Sequence, residues 1–448
     1  MAAEGSVHRG VLTVGWRRAA AWLFAALLML PVVASAGPAV ESWLTSRGAK
    51  VMYVHAPELP MLDVRVVFDA GSARDGERPG LARFVNSMLS EGAGDWDADA
   101  LALRLEERGI ELGSSSLRDM AWVSLRSLTD PAVLDSALDS LQAVVARPRF
   151  DPDAIERVRQ QLQIGLRSSL QSPATVAQRR FFETLYGDHP YAHSPTGTES
   201  ALAAIDRGEL LVFHRRYYVA SNAVVALVGD VDRVTAEAIA ERVTEGLAVG
   251  QPAPVIPQPP AISGGELHEA FPSSQTHIYI GQAGMARHDP DYFPLYVGNH
   301  VLGGGSLVSI LGEEVRNKRG LSYSVYSYFS PMRAEGPFLM VAQTKNDQAD
   351  EALKVMRDTL QRFVTDGPSE KELDAAKQNL IGGFPLRISS NAKIIDYIAM
   401  MGFYDYPLDY LDTLTGKLAA VTTEQVRDAF ARRIGGSAGI AVIVGGSG

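Results

Sequence analysis

The sequence predicts an α+β fold of two homologous halves, each an α/β sandwich with helices covering one sheet, joined by a Pro-rich linker. Three observations predict it. The stretch from Gly250 to Pro260 holds five prolines in eleven residues, which can form neither a helix nor a central strand and should run extended. Segments on either side of it repeat in order. Ala70-Gly71-Ser72-Ala73-Arg74 falls on Ala283-Gly284-Met285-Ala286-Arg287, and Leu89-Ser90-Glu91-Gly92 on Leu302-Gly303-Gly304-Gly305, both at an offset of 213. Ile155 to Leu162 falls on Leu373 to Leu380 at 218, and Ser221 to Gly229 on Ser437 to Gly445 at 216. Four ordered matches at nearly one offset point to a duplication. Finally, both halves share a grammar of alternating strand, helix, mixed strands and helices, long helix and closing β-branched strand.

In chain order, residues 1–36 read as a secretory signal. Arg9, Arg17 and Arg18 form a basic start, Ala19 to Val33 an apolar run, and Ala34-Ser35-Ala36 a small-residue cleavage site. The run is shorter than the ~20 residues of a spanning helix, so membrane attachment is expected only if the signal stays uncleaved. Cleavage after Ala36 removes three Arg and one Glu and takes the net charge from −10 to −12. Export with this signal style points to a Gram-negative periplasm.

The N-terminal domain is expected over 37–249, the linker over 250–263 and the C-terminal domain over 264–448. In the first domain an alternating strand runs from Leu62 to Ala70, and Asp151 with Pro152 offers an N-cap and first position for the long helix. In the second, His277 to Ala283 is the matching strand. A sheet with a free edge can accept an extended peptide as a further strand.

Composition narrows the function. An apolar fraction of 46% and charged fraction of 21% suit a globular chain. The acidic balance argues against nucleic acid as a partner. With no cysteine, disulfides, thiolate metal sites and a cysteine nucleophile are excluded.

Gly80-Leu81-Ala82-Arg83-Phe84-Val85-Asn86-Ser87-Met88-Leu89 resembles the zinc helix of the pitrilysin/insulinase-type (inverzincin) metallopeptidases. There Gly-Leu-Ala is followed by His-x-x-Glu-His and Met-Leu. That motif sets two imidazoles on one helix face for a single Zn²⁺, with the Glu as general base. Here Arg83 stands at the first His, Asn86 at the Glu and Ser87 at the second His. By spacing from Glu156, the family's third ligand, a Glu on the long helix, falls on Gln163. A guanidinium has no lone pair for a metal, and an amide accepts no proton at neutral pH. No catalytic zinc is expected in this chain.

The second half carries Gly303-Gly304-Gly305-Ser306, then Leu311-Gly312-Glu313-Glu314-Val315-Arg316 and Gly320-Leu321-Ser322-Tyr323. This is similar to the second signature of the same family, and Arg316 and Tyr323 match its Arg and Tyr. The resemblance spans essentially the whole chain after residue 36. It implies that the chain is half of a clamshell, reaching with Arg316 and Tyr323 into a zinc site it does not itself contain. Tyr323 would donate to the scissile carbonyl oxygen as that oxygen becomes negative, and Arg316 would add fixed charge and bind a peptide carbonyl. Tyr326 is a further candidate for the substrate-binding surface, although Tyr326, Tyr328 and Phe329 also suit plain packing. The implied assembly is a heterodimeric zinc peptidase in which a sister subunit with intact His-x-x-Glu-His binds the zinc and peptides are the substrate. A peptide-binding scaffold without chemistry is the rival.

Weaker signals point elsewhere. The triple glycine lacks the Gly-Lys-Ser/Thr of a nucleotide loop. His189 and His193 are four apart, but Pro190 between them spoils helical spacing for a metal pair. The aromatic group Phe213 to Tyr218 reads as structural. No Gly-x-Ser-x-Gly elbow supports an independent hydrolase.

Overall fold

The computed structural model describes residues 37–261, 264–305, 308–435 and 439–446; the expected signal segment lies outside them. The first half builds a six-stranded sheet from Glu41–Leu44 (β1), Lys50–His55 (β2), Met61–Phe68 (β3), Glu111–Ser116 (β4), Ala121–Leu128 (β5) and Ala223–Gly229 (β6). Their order is β1-β2-β6-β3-β5-β4. The second half builds five strands, Gly265–Ala270 (β7), Ser273–Met285 (β8), Ser322–Phe329 (β9), Gly336–Lys345 (β10) and Ile440–Gly446 (β11), in the order β9-β10-β8-β11-β7. Moving β2-β6-β3-β5-β4 along the chain by one repeat reproduces that order. In each sheet the last strand of the half runs parallel to one neighbour, β2 or β7, while the remaining pairs are antiparallel.

The repeat extends to single residues. The helices Pro152–Ser169 and Glu370–Arg387 have both bounds at an offset of 218. Gly229 and Gly445 occupy matching places where backbones pass closely. A Cβ on Gly229 would lie 2.2 Å from the Met61 carbonyl oxygen, and one on Gly445 2.6 Å from the Thr276 Cα. Asp151 does cap the first long helix by position, but its carboxylate is taken by Arg149 at 2.7 Å and makes no cap bond.

The helices after the two long ones change sides. Pro173–Tyr186 packs on β8 and β11 of the second sheet, whereas Asn391–Phe403 packs on β2, β3 and β6 of the first. Both contacts are close enough to need glycine. A Cβ on Gly281 would meet the Phe181 ring at 2.9 Å, and one on Gly402 would meet Val224 at 2.5 Å. Phe181, Ile398 and Met401 are fully buried there, and each such side chain contributes about 1.5–3 kcal/mol. Each half therefore completes the other's core.

A polar node pins the same junction. The buried Asp119 carboxylate accepts the Tyr191 hydroxyl at 2.5 Å, the Tyr404 hydroxyl at 2.8 Å and the Arg333 amide at 2.7 Å. Beside it Arg118 lies over the Phe182 ring at 3.5 Å and donates to the Tyr191 carbonyl, and burial holds its guanidinium down to about 10.

Residues 248–261 carry no helix or strand, yet they are fastened. Arg216 donates to the Gln251 and Pro252 carbonyls, the Ala253 amide donates to Asn222, and Ile256 is buried. His189 binds the Pro257 carbonyl through Nε2 at 2.8 Å and accepts the Tyr191 amide at Nδ1. Both its ring nitrogens are thus committed to backbone rather than to a metal. In the Phe213 to Tyr218 group, His214 stacks on Tyr218 and binds the Val145 carbonyl, and burial pushes its imidazole down to about 4. That group is core.

Candidate functional site

The first half places its four altered positions on two packed helices. Leu81–Met88 starts at Gly80, whose φ of 97° is the left-handed conformation glycine tolerates. Asp75 holds this start, accepting the Gly80 and Ala82 amides at 2.7 Å each. Burial outweighs those two bonds and pushes its carboxyl up to about 7. Arg83 faces solvent, Ser87 is half-buried and Asn86 is buried. Asn86 ties the helix to the sheet, donating to the Trp122 carbonyl at 3.2 Å while its own carbonyl accepts the Ser114 hydroxyl at 3.3 Å. The helix rests on Pro152–Ser169, with Arg159 5.3 Å from the Phe84 ring, and Gln163 sits half-buried one turn beyond. The helices meet, but their polar groups are a guanidinium, two amides and a hydroxyl. Among the described residues no group of three or more His, Asp or Glu could hold a metal ion. The donor set does not fit zinc.

The second half uses the equivalent place differently. At an offset of 213, Arg83, Asn86, Ser87 and Ser114 fall on Tyr296, Asn299, His300 and Ser327. The helix Tyr292–Asn299 runs on into a widened turn, His300–Gly304. Here too Asn and Ser are joined, but through the Asn299 side chain, whereas Ser114 meets the Asn86 backbone carbonyl. Ser327 Oγ donates to Asn299 Oδ1 at 2.7 Å, and Asn299 Nδ2 donates to the Ser327 carbonyl at 3.1 Å. Gly303 presses on the same residue, and a Cβ there would lie 2.3 Å from Ser327 Oγ. Sequence reasoning missed this paired clamp, although Asn86 with Asn299 and Ser114 with Ser327 at one offset were a usable signal.

A second widened turn, Gly312–Asn317, presents Arg316. The two carboxylates of this turn are occupied elsewhere, Glu313 by Asn317 at 2.9 Å. Glu314 binds Lys318 at 2.9 Å and Arg319 at 2.8 Å, and these bonds hold it down at about 2. Gly320, at φ 65°, turns the chain into β9. The pairing of β9 with β10 then skips between Ser322 and Ser324, where Ser322 Oγ bonds the Ser324 and Gln343 carbonyls. Tyr323 is the residue left over. Such a bulge re-aims a side chain out of the ladder, and Tyr323 is 83% exposed. The Arg316 guanidinium lies 5.0 Å from its ring.

Arg316, Tyr323 and Tyr326 line one cavity of about 600 Å³ with Tyr296, His300 and Arg387. Tyr326 is 40% exposed and stacks on Tyr328, while Phe329 packs against Phe338 and Phe430. Among the described residues the lining comes from 296–387. The Arg/Tyr pair and the altered zinc helix therefore do not share this cavity. Chemically it can donate hydrogen bonds and place positive charge, and among its described lining residues His300 is the one side chain of ordinary general-base type.

Residues 50–199 match the family model described as insulinase (peptidase family M16), and residues 204–380 the one described as peptidase M16 inactive domain. A solved structure described as the peptidase M16 inactive domain from Pseudomonas fluorescens is 40% identical, with a TM-score of 0.88 over 91% of this chain and 98% of that one. The non-peptidase homolog YmxG of Helicobacter pylori is 24% identical over 84% of this chain and 87% of its own length. An uncharacterized zinc protease, YmxG of Bacillus subtilis, is 22% identical over 79% and 86% respectively. With an Arg, Asn, Ser and Gln where the zinc helix would need its ligands and base, the chain belongs to the peptidase M16 family as one of its inactive members.

Proposed function

We propose that this chain is the zinc-less subunit of an exported two-chain peptidase. It lends Arg316 and Tyr323 to the active site of a sister subunit that carries zinc on an intact His-x-x-Glu-His helix. One observation carries the reading: a chain without zinc ligands keeps Tyr323 thrown out of its strand by a bulge, fully presented beside Arg316. An aromatic 83% exposed on a folded surface has no packing role there. Its phenol suits donation to a carbonyl oxygen that becomes negative during peptide hydrolysis, and the guanidinium supplies fixed charge. The zinc would polarise that carbonyl and its bound water in the partner. This chain contributes binding, charge and a proton donor that keeps its proton. The Helicobacter relative is named a non-peptidase homolog, which favours a second reading without peptidase chemistry, here a peptide-binding scaffold.

Purifying the tagged chain from its native host separates the two. A near-stoichiometric partner with intact His-x-x-Glu-His is the expected result. Recovery of this chain alone, inert toward peptides, under conditions that preserve complexes would favour the peptide-binding protein.

A further inference from the structure

The cavity behind Tyr323 holds a second guanidinium. Arg387 is the last residue of Glu370–Arg387 and lines the cavity with Arg316, its Nη1 donating to the Tyr296 hydroxyl at 3.0 Å. Among the described residues no Asp or Glu lines this cavity. The acids of the neighbouring turn point elsewhere, Glu313 to Asn317 and Glu314 to Lys318 and Arg319. Among the described residues neither Arg316 nor Arg387 lies within ion-pair distance of a carboxylate, although the chain carries 52 Asp and Glu against 42 Lys and Arg. Burial and the Arg387 charge lower the His300 imidazole pKa, so at neutral pH it adds a neutral ring and no third cation.

Two cations around one concave space repel each other until an anion joins them, and a wall with no acid focuses that field. A planar guanidinium fork matches the two oxygens of a carboxylate. The surrounding Tyr296, Tyr323 and Tyr326 add apolar ring faces and hydroxyl donors. The volume, about 600 Å³, is that of a small-ligand pocket.

We infer that Arg387, with Arg316, selects peptides by a carboxylate, supplied by a free C-terminus or by an Asp or Glu side chain, that enters this cavity. The inference rests on the reading that the cavity takes peptide, and it makes Arg387 a specificity residue of that site.

The test uses calorimetry on the mature full-length chain with three nine-residue peptides of one neutral sequence: a free acid, its amide, and the amide with one internal Glu. At least one carboxylate-bearing peptide should bind about tenfold or more tighter than the neutral amide. Arg387→Gln should abolish that difference and Arg387→Lys recover part of it, both with wild-type unfolding midpoints. Which carboxylate gains shows whether a terminus or a side chain is read. Equal affinity for all three peptides, or a preference that survives Arg387→Gln, overturns the inference and leaves peptide binding intact. No binding of any of them, by the chain alone or with its zinc-bearing partner, contradicts the peptide reading as well.

Discussion

Tyr323→Phe is expected to slow peptide hydrolysis by the assembled two-chain peptidase about a hundredfold while leaving its zinc content unchanged. The substitution deletes one hydroxyl. Tyr323 is 83% exposed and sits at a bulge, outside the strand ladder, so its ring and backbone remain and folding stability should move by less than about 0.5 kcal/mol. In the proposed role the hydroxyl donates to charge that develops only in the transition state. Loss of one such donor costs about 3 kcal/mol and falls on kcat rather than KM. Kinetics of the reconstituted complex, with zinc analysis of both forms, check it. A variant that turns over within about twofold of wild type would remove Tyr323 from the chemistry.

Asp119→Ala should cost the chain about 3–5 kcal/mol of unfolding free energy. Three donors from separate segments converge on this carboxylate, the hydroxyls of Tyr191 and Tyr404 and the amide of Arg333. Tyr191 belongs to the first half and the other two to the second. Alanine strands all three donors in a buried place, and each unmet donor costs about 1–3 kcal/mol. Tyr404→Phe, which leaves two of the three donors to Asp119 in place, should cost nearer 1 kcal/mol. Urea unfolding of both variants gives the comparison. A loss below about 1 kcal/mol for Asp119→Ala would show that the junction is held by the exchanged helices alone. With the node and the exchange both in place, the two halves form one compact body.

Much of this architecture was readable because duplication leaves a phase in the sequence. The offsets of 213 to 218 anticipate matching strand orders and long helices of identical length. They do not anticipate which sheet a helix covers. An amphipathic pattern in Pro173–Tyr186 specifies a buried face and not the partner that buries it, so the exchange of helices had no local signal. The bulge was equally hidden. Strict alternation through β9 puts Tyr323 on the face of Val325, yet Val325 is 7% exposed and Tyr323 83%. One skipped residue separates them, and a skip follows from pairing geometry rather than side-chain type. Asn86 was legible as a lost base but not as half of an Asn–Ser clamp. Arg387 carries no signal of its own in the sequence, since an Arg closing a helix is ordinary macrodipole chemistry; the cavity shows what it shares with Arg316.

Complementation between the two chains can be titrated. A fixed amount of the zinc-bearing partner, identified by co-purification, would receive increasing mature chain while hydrolysis of an unstructured peptide is followed. No hydrolysis by this chain alone, little by the partner alone, and turnover that rises to a plateau at one chain per partner are expected. A partner equally active without this chain, or a mixture no faster than the partner, would contradict it.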